Sequence, residues 1–453
     1  MTGIINKYLL QGNPRSILVK KNIIGSLFVK GVSISISLVM VPLTISYVNP
    51  SRYGIWLALS SVVGWVSFFD IGFTCGLRNK FAEARAKGDV KLARAYLSTA
   101  YVFMSAIFGS LLVILLAANL FIDWGALLNI GNVVEEQVGV VAAVVITYFC
   151  CLFVLRIVNT LLTADQKPAI SSLVDMLGQL ASLAAIFVLT RTVRGSLMNL
   201  TIALCLPTLV VLLLAQVYLY RSEYSAYAPS FRLARIDQAK EIMGLGVKFF
   251  IPYVAFIVQY QTTSFLIAHY FGVTEVTVYN IAYKYFNVLQ MTFTIVTAPL
   301  WSSVTDSYNK GDEDWIKHAV NKYLYVLSAF VTMAMLMLLC SDKVYELWIG
   351  KKQVHIDFDI SLLCCIFVIT SMFANIFVSV INGIGALKIQ FVSSLITPTL
   401  FIVMSLFFVL RLGTGMEGIL ISSIISNCFG VIIAPIQYYK IFVNKSSAKV
   451  WYA

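Results

Sequence analysis

Apolar residues make up 59% of this 453-residue chain and charged residues only 12%, where soluble domains run to roughly half and a quarter. With a mean hydropathy of +0.86, a soluble globule is excluded, and repeated spans of about 20 apolar residues are the simplest account. The net charge of +12 invites a nucleic-acid partner, a reading that the placement of the cations removes.

The first residues (MTGIINKYLLQGNPRSILVKKN) lack a signal-peptide pattern and read as a basic leader to the first span. Twelve apolar spans follow, at about 23–48, 53–74, 96–121, 138–162, 169–190, 197–220, 242–270, 275–303, 319–340, 360–383, 389–411 and 417–439. Backbone amides in lipid must be paired internally, so the spans are predicted to be helices. The expected fold is an all-α polytopic membrane protein. Lys and Arg crowd the side that holds both termini about threefold over the other, most densely in the segment from Arg78 to Arg94. Both termini are therefore expected in the cytoplasm, and topology explains the basic balance without nucleic acid.

The chain also repeats itself. At an offset of 223 residues, YVNPSRYGIW (Tyr47–Trp56) aligns with YFGVTEVTVY (Tyr270–Tyr279), and Lys87-Gly88-Asp89 falls on Lys310-Gly311-Asp312. Glu83 falls on Asp306 and Arg94 on Lys317. Six spans is an even number, so the copies are parallel repeats, with the substrate path expected at their junction. The expected organisation is a six-helix lobe over 1–220, a cytoplasmic linker over 221–241 and a second six-helix lobe over 242–453.

Charges inside the spans are the candidate functional groups, since each costs roughly 2.5–3.5 kcal/mol at a helix centre. Four are cations (Lys30, Arg156, Lys248, Lys284) and two are carboxylates (Asp70, Asp175). Lys30 shares a face with Ser26, Ser33 and Ser37; Lys248 shares one with Gln259 and Thr262; Lys284 shares one with Asn280, Asn287, Gln290 and Thr294. These three stripes are read as walls of a hydrated cavity. Stripes without a lysine (Ser60, Gly64, Ser67 and Asp70; Ser371, Asn375, Ser379 and Asn382) are read as helix–helix contacts. Arg156 and Lys248 could equally snorkel to the surface. A net-positive cavity suits an anionic headgroup such as a phosphate or pyrophosphate. The eight cysteines form no CxxC, and His269, His318 and His355 are scattered, so no metal site, disulfide framework or cofactor is expected. No nucleophile–base pair or large loop with grouped acids points to an enzyme, such as a glycan polymerase or ligase.

Several stretches are similar to the Wzx-type O-antigen and polysaccharide flippases of the MOP exporter superfamily. They are GSLFVKGVSISISLVMVPLTISYV, YGIWLALSSVVGWVSFFDIGF, GLRNKFAEARAKGD, LLTADQKPAISSLVDMLGQL and APLWSSVTDSYNKGDEDWIKHA. The resemblance implies a MATE-like fold of two parallel six-helix lobes in the bacterial inner membrane. It implies that an undecaprenyl-pyrophosphate-linked oligosaccharide is turned from the cytoplasmic to the periplasmic leaflet as the lobes rock. A polysaccharide polymerase and a chain-length regulator are the partners that go with such a role. Lys30, Arg156, Lys248 and Lys284 would hold the pyrophosphate or line the sugar path, with Asn280, Asn287, Gln259 and the aromatics Tyr260, Tyr279 and Tyr283 beside them. If protons or sodium are coupled to transport, Asp70 and Asp175 are the candidates, although either could be a salt-bridge partner. The alternative is an ion-coupled multidrug exporter of the same superfamily, but those commonly carry an acid in helix 1, where this chain has Lys30.

Overall fold

The computed structural model describes residues 14–70, 72–130, 138–350, 353–444 and 451, with side chains given from Gly25 onward except at 26, 27, 68, 245–257, 260 and 302. Among the described residues there is no strand. The main helices are α1 (Pro14–Val48), α2 (Pro50–Gly64), α3 (Phe73–Ala86), α4 (Val90–Asn119), α5 (Val138–Leu155), α6 (Ile157–Ala164), α7 (Pro168–Thr192) and α8 (Leu197–Arg221). They continue as α9 (Ile236–Phe271), α10 (Val273–Asn309), α11 (Glu313–Leu339), α12 (Ser341–Ile349), α13 (Phe358–Ile384), α14 (Lys388–Leu410), α15 (Glu417–Ser426) and α16 (Ala434–Tyr438). Every expected span falls on a helix or a broken pair of helices. Among the described residues eight spans are long and apolar enough to cross a membrane, one of them running through α5 and α6, and the last pair, bent by 41°, makes a ninth if it counts as one span.

The breaks have local causes. After Gly64 the backbone of α2 tightens into a 3-10 turn over Trp65–Asp70, where Ser67 donates its hydroxyl to the Gly64 carbonyl at 2.8 Å. Gly72 then takes a left-handed conformation (φ 69°) to start α3. The fourth span breaks at Arg156, between α5 and α6. There Gln216 of α8 donates from Nε2 to the Leu155 carbonyl at 2.7 Å. A polar side chain on a neighbouring helix thus satisfies backbone that lipid could not.

Two compact units emerge, one of Met1–Asn49, Val63–Gly125 and Asn132–Phe250, the other of Pro50–Val62, Ala126–Gly131 and Ile251–Ala453. In the first unit α7 packs on α1 and α8, α4 on α3 and α5, and α5 on α8. Ser182 of α7 donates to the Leu204 carbonyl of α8 at 3.2 Å, a close approach that small residues permit. In the second unit α10 packs along α13, α11 on both, and α14 on α15.

The segment from 221 to 241 is tied down within the first unit. Arg94 Nε donates to the Ala228 carbonyl at 2.8 Å, Ser98 Oγ accepts from the Ser230 amide at 3.0 Å, and Thr99 Oγ1 accepts from the Arg235 amide at 3.1 Å. Tyr96 donates its hydroxyl to Glu241 at 2.5 Å. Tyr224, 1% exposed, donates to the Asp165 carboxylate. The same carboxylate lies 2.7 Å from Arg85 and 3.3 Å from Lys167. Burial, with the Asp165 charge beside it, pushes the Tyr224 phenol well above its ordinary pKa.

The internal repeat is visible in local geometry. Gly88 and Gly311 both have φ +74°. Lys87 pairs with Glu83 at 2.6 Å and Lys310 with Asp306 at 2.5 Å. Asp89 caps α4 by accepting from the Leu92 amide at 2.9 Å, and Asp312 caps α11 by accepting from the Trp315 amide at 3.0 Å. The left-handed residues Asn49 and Gly272, which precede α2 and α10, are also repeat mates. Inside the second unit the starts of α2 and α10 touch. Thr277 donates to the Pro50 carbonyl at 2.7 Å, and a Cβ on Gly54 would lie 1.7 Å from the Val273 carbonyl oxygen.

Candidate functional site

Five helices of the second unit surround a cavity of about 660 Å³. Its wall is built from helical periodicity: side chains three or four residues apart share a face. From α10 come Tyr279, Tyr283, Asn287 and Gln290; from α13, Phe367, Ser371 and Asn375; from α14, Gln390, Ser394 and Thr397. Gln259 and Thr263 enter from α9, and Ser423, Ser426 and Asn427 from α15 and the bend that follows it. Among the described lining residues none carries a charge.

Much of the wall is held in place by its own hydrogen bonds. Gln259 Nε2 donates to the Ser423 carbonyl at 3.0 Å and Asn427 Nδ2 to Ser371 Oγ at 3.4 Å. Thr297 donates to Asn375 Oδ1 at 2.8 Å. Three buried oxygens of the wall, Gln290 Oε1, Gln390 Oε1 and Ser426 Oγ, have no hydrogen-bond partner among the described residues. A buried polar atom left so costs about 1–3 kcal/mol, so the two amide oxygens call for a donor, and the Ser426 hydroxyl for a partner of either kind, from whatever fills the cavity. Tyr283 stacks on Tyr279 with ring centroids 5.7 Å apart and lies 6.2 Å from the Phe367 ring, giving one side of the cavity an aromatic surface.

Of the residues singled out from the sequence, Gln259, Tyr279, Tyr283, Asn287 and Gln290 line this cavity. Asn280 is buried nearby on α10 but donates to the Val276 carbonyl at 2.8 Å. Lys284 points elsewhere on α10, donating to the Tyr53 hydroxyl at 3.1 Å with its Nζ 5.9 Å from that ring's centroid. Lys30, Arg156, Asp70 and Asp175 belong to the first unit. There Asp175 lies 3.9 Å from Arg156 and accepts from Asn159 at 2.9 Å, while Asp70 accepts from the Thr74 amide and hydroxyl at 3.1 and 2.8 Å. Lys30 is exposed on α1. The side chains of Lys248 and Tyr260 lie outside the described residues. The stripe on α13, read from sequence as a helix contact, supplies Ser371 and Asn375 to the wall. The contributions of α14 and α15 were not anticipated, although Gln390, Ser394 and Thr397 do recur at helical spacing.

Solved structures share this architecture. An inward-facing multidrug resistance MATE family transporter of the MOP superfamily matches with a TM-score of 0.76 at 14% identity, over 93% of this chain and 100% of that one. An outward-facing MATE transporter matches with a TM-score of 0.65 at 13% identity, over 97% and 98%. So does a MOP superfamily transporter from Pyrococcus furiosus, described as having a binding pocket of reverse polarity, with a TM-score of 0.65 at 14% identity over 97% and 98%. The fold is therefore that of the MOP superfamily, in a multi-pass membrane protein. No curated protein matches the sequence. Residues 19–303 match the family described as polysaccharide biosynthesis protein, and the chain belongs to that family.

Proposed function

We propose that the protein flips an undecaprenyl-pyrophosphate-linked oligosaccharide, an O-antigen or related polysaccharide repeat unit, from the cytoplasmic to the periplasmic leaflet of a bacterial inner membrane by alternating access. One observation carries the reading: a member of a polysaccharide biosynthesis family with a transporter fold holds a cavity whose described wall is uncharged and made of amides, hydroxyls and aromatic rings. Such a wall matches the hydroxyl-rich, weakly amphipathic surface of a sugar. Lys30, Arg156, Lys248 and Lys284 are the groups that would hold the pyrophosphate, because an anion in a low-dielectric setting needs a paired cation. Asp70 and Asp175 are the carboxylates available for coupling to protons or sodium. The six-helix lobes over 1–220 and 242–453, joined by 221–241, would supply the alternating motion. The excess of Lys and Arg on one side supports cytoplasmic termini, and a polymerase and chain-length regulator would act on the delivered units.

Multidrug export is the competing reading. It suits the fold but not the cavity, whose described lining offers no carboxylate to a cationic drug. Deleting the gene in a strain with no redundant transporter tests the proposal. Lipid-linked repeat units should accumulate on the cytoplasmic face; normal delivery to the periplasmic face would defeat it.

A further inference from the structure

We infer that the cavity of the second unit is a subsite for uncharged sugar residues bearing hydroxyl or N-acetyl groups, and that it discriminates against acidic sugars. The inference rests on the proposed flippase reading and adds which part of the substrate sits here. Three features of the wall define the ligand. First, its described wall is neutral: among the described lining residues a uronate carboxylate would shed water without meeting a cation, and an organic cation would meet no carboxylate, which is the costly way to bury a charge. Second, two of its three unpaired buried oxygens can only accept, the third being the Ser426 hydroxyl. Gln290 Oε1 and Gln390 Oε1 ask for O–H or N–H donors, which a sugar hydroxyl or an acetamido N–H supplies and a hydrophobic drug does not. Third, Tyr279, Tyr283 and Phe367 present ring faces, whose negative potential suits the weakly positive C–H face of a pyranose.

The volume of about 660 Å³ falls in the range of about 300–1,000 Å³ typical of small-molecule sites, so a short stretch of glycan fits rather than a whole lipid-linked unit. The positions of the described intramembrane cations agree with this division. Lys284, the one nearest in sequence, is turned to Tyr53 and does not line the cavity. Among the described residues, sugar recognition in this cavity thus falls to side chains other than the intramembrane cations.

The test uses the full-length protein in lipid nanodiscs, titrated with three probes: a neutral N-acetylhexosamine disaccharide, a size-matched disaccharide containing a hexuronate, and a lipophilic phosphonium cation. Binding is followed by intrinsic tyrosine fluorescence, and folding of each variant by thermal unfolding. The neutral disaccharide should bind at least tenfold more tightly than the other two. Gln290→Leu and Gln390→Leu should each weaken it about tenfold without lowering the unfolding temperature, since each removes an unpaired buried acceptor. Gln290→Lys should reverse the order and favour the hexuronate. Equal binding of neutral and acidic probes, preference for the cation, no binding by any probe, or no effect of the leucine variants would each overturn the subsite. None of these would disturb the leaflet assay, so failure here and failure of the flippase reading are told apart.

Discussion

Replacing Asp165 by Asn should loosen the segment from 221 to 241 without unfolding the protein. The Asp165 side chain is only 7% exposed and faces Arg85 at 2.7 Å and Lys167 at 3.3 Å, while those cations are 35% and 27% exposed. Removing one partner of a fully buried pair costs about 3–5 kcal/mol. Solvent reaches both cations here, so the expected loss is smaller, about 1–3 kcal/mol. Asn keeps an oxygen for the Tyr224 hydroxyl, but Ala does not, and Asp165→Ala should add about 1–3 kcal/mol for the buried phenol left unpaired. Trypsin reads the change directly, because Arg221, Arg232 and Arg235 lie in the segment. If cleavage follows local opening, a loss of 1–3 kcal/mol raises its rate about 5- to 150-fold in Asp165→Asn and further in Asp165→Ala. Cleavage within twofold of the parent in both variants would refute the reasoning. The sign of the pH dependence follows from the raised Tyr224 pKa: the native state holds this proton more tightly than the unfolded chain. The stability linked to it is complete below about pH 10 and is lost only as pH climbs above the ordinary phenol range, so cleavage of the parent should stay flat between about pH 7 and 9.

Two further outcomes follow from the second unit. Gly54→Ala places a methyl group 1.7 Å from the Val273 carbonyl oxygen, so the helices must part and strain the Thr277–Pro50 hydrogen bond; a loss of about 1–3 kcal/mol is expected, read as a lower unfolding temperature, and an unchanged one would contradict the contact. Lys284→Ala should impair delivery of lipid-linked units far more than Lys284→Arg, with Tyr53→Phe intermediate because it removes only the hydroxyl acceptor; full delivery by a correctly inserted alanine protein would remove Lys284 from the mechanism.

Helix placement was legible because apolar runs of membrane length have one backbone solution, and all the expected spans coincide with helices. The repeat was legible because Gly88 and Gly311 occupy a conformation that few other residues take, which keeps the KGD triplet recognisable in both copies. The interruptions at Trp65–Asp70 and Arg156 were not, since neither sits at a proline and each depends on where the freed backbone finds a partner, as Leu155 does in Gln216. The cavity was half legible. A stripe of Ser, Thr, Asn and Gln looks the same whether it meets another helix or an open space. Asn287 and Gln290 drew attention because they accompany Lys284, and they line the cavity although Lys284 itself turns away. Gln390, Ser394 and Thr397 had no charge to draw attention to them, and Ser371 and Asn375 were taken for packing.

The contact at the starts of α2 and α10 pairs positions related by the 223-residue offset. Pro50 and Val273 are repeat mates, as are Gly54 and Thr277, so Pro50 meets Thr277 while Gly54 meets Val273. That is the isologous pattern of a two-fold dimer, in which one patch meets its own copy. In a homodimer both copies would carry the same residue at the second position and would have to choose: glycine for close approach, or threonine for a hydroxyl to the facing carbonyl. A single chain can hold both: here Gly54 lets the backbones touch and Thr277 ties them together.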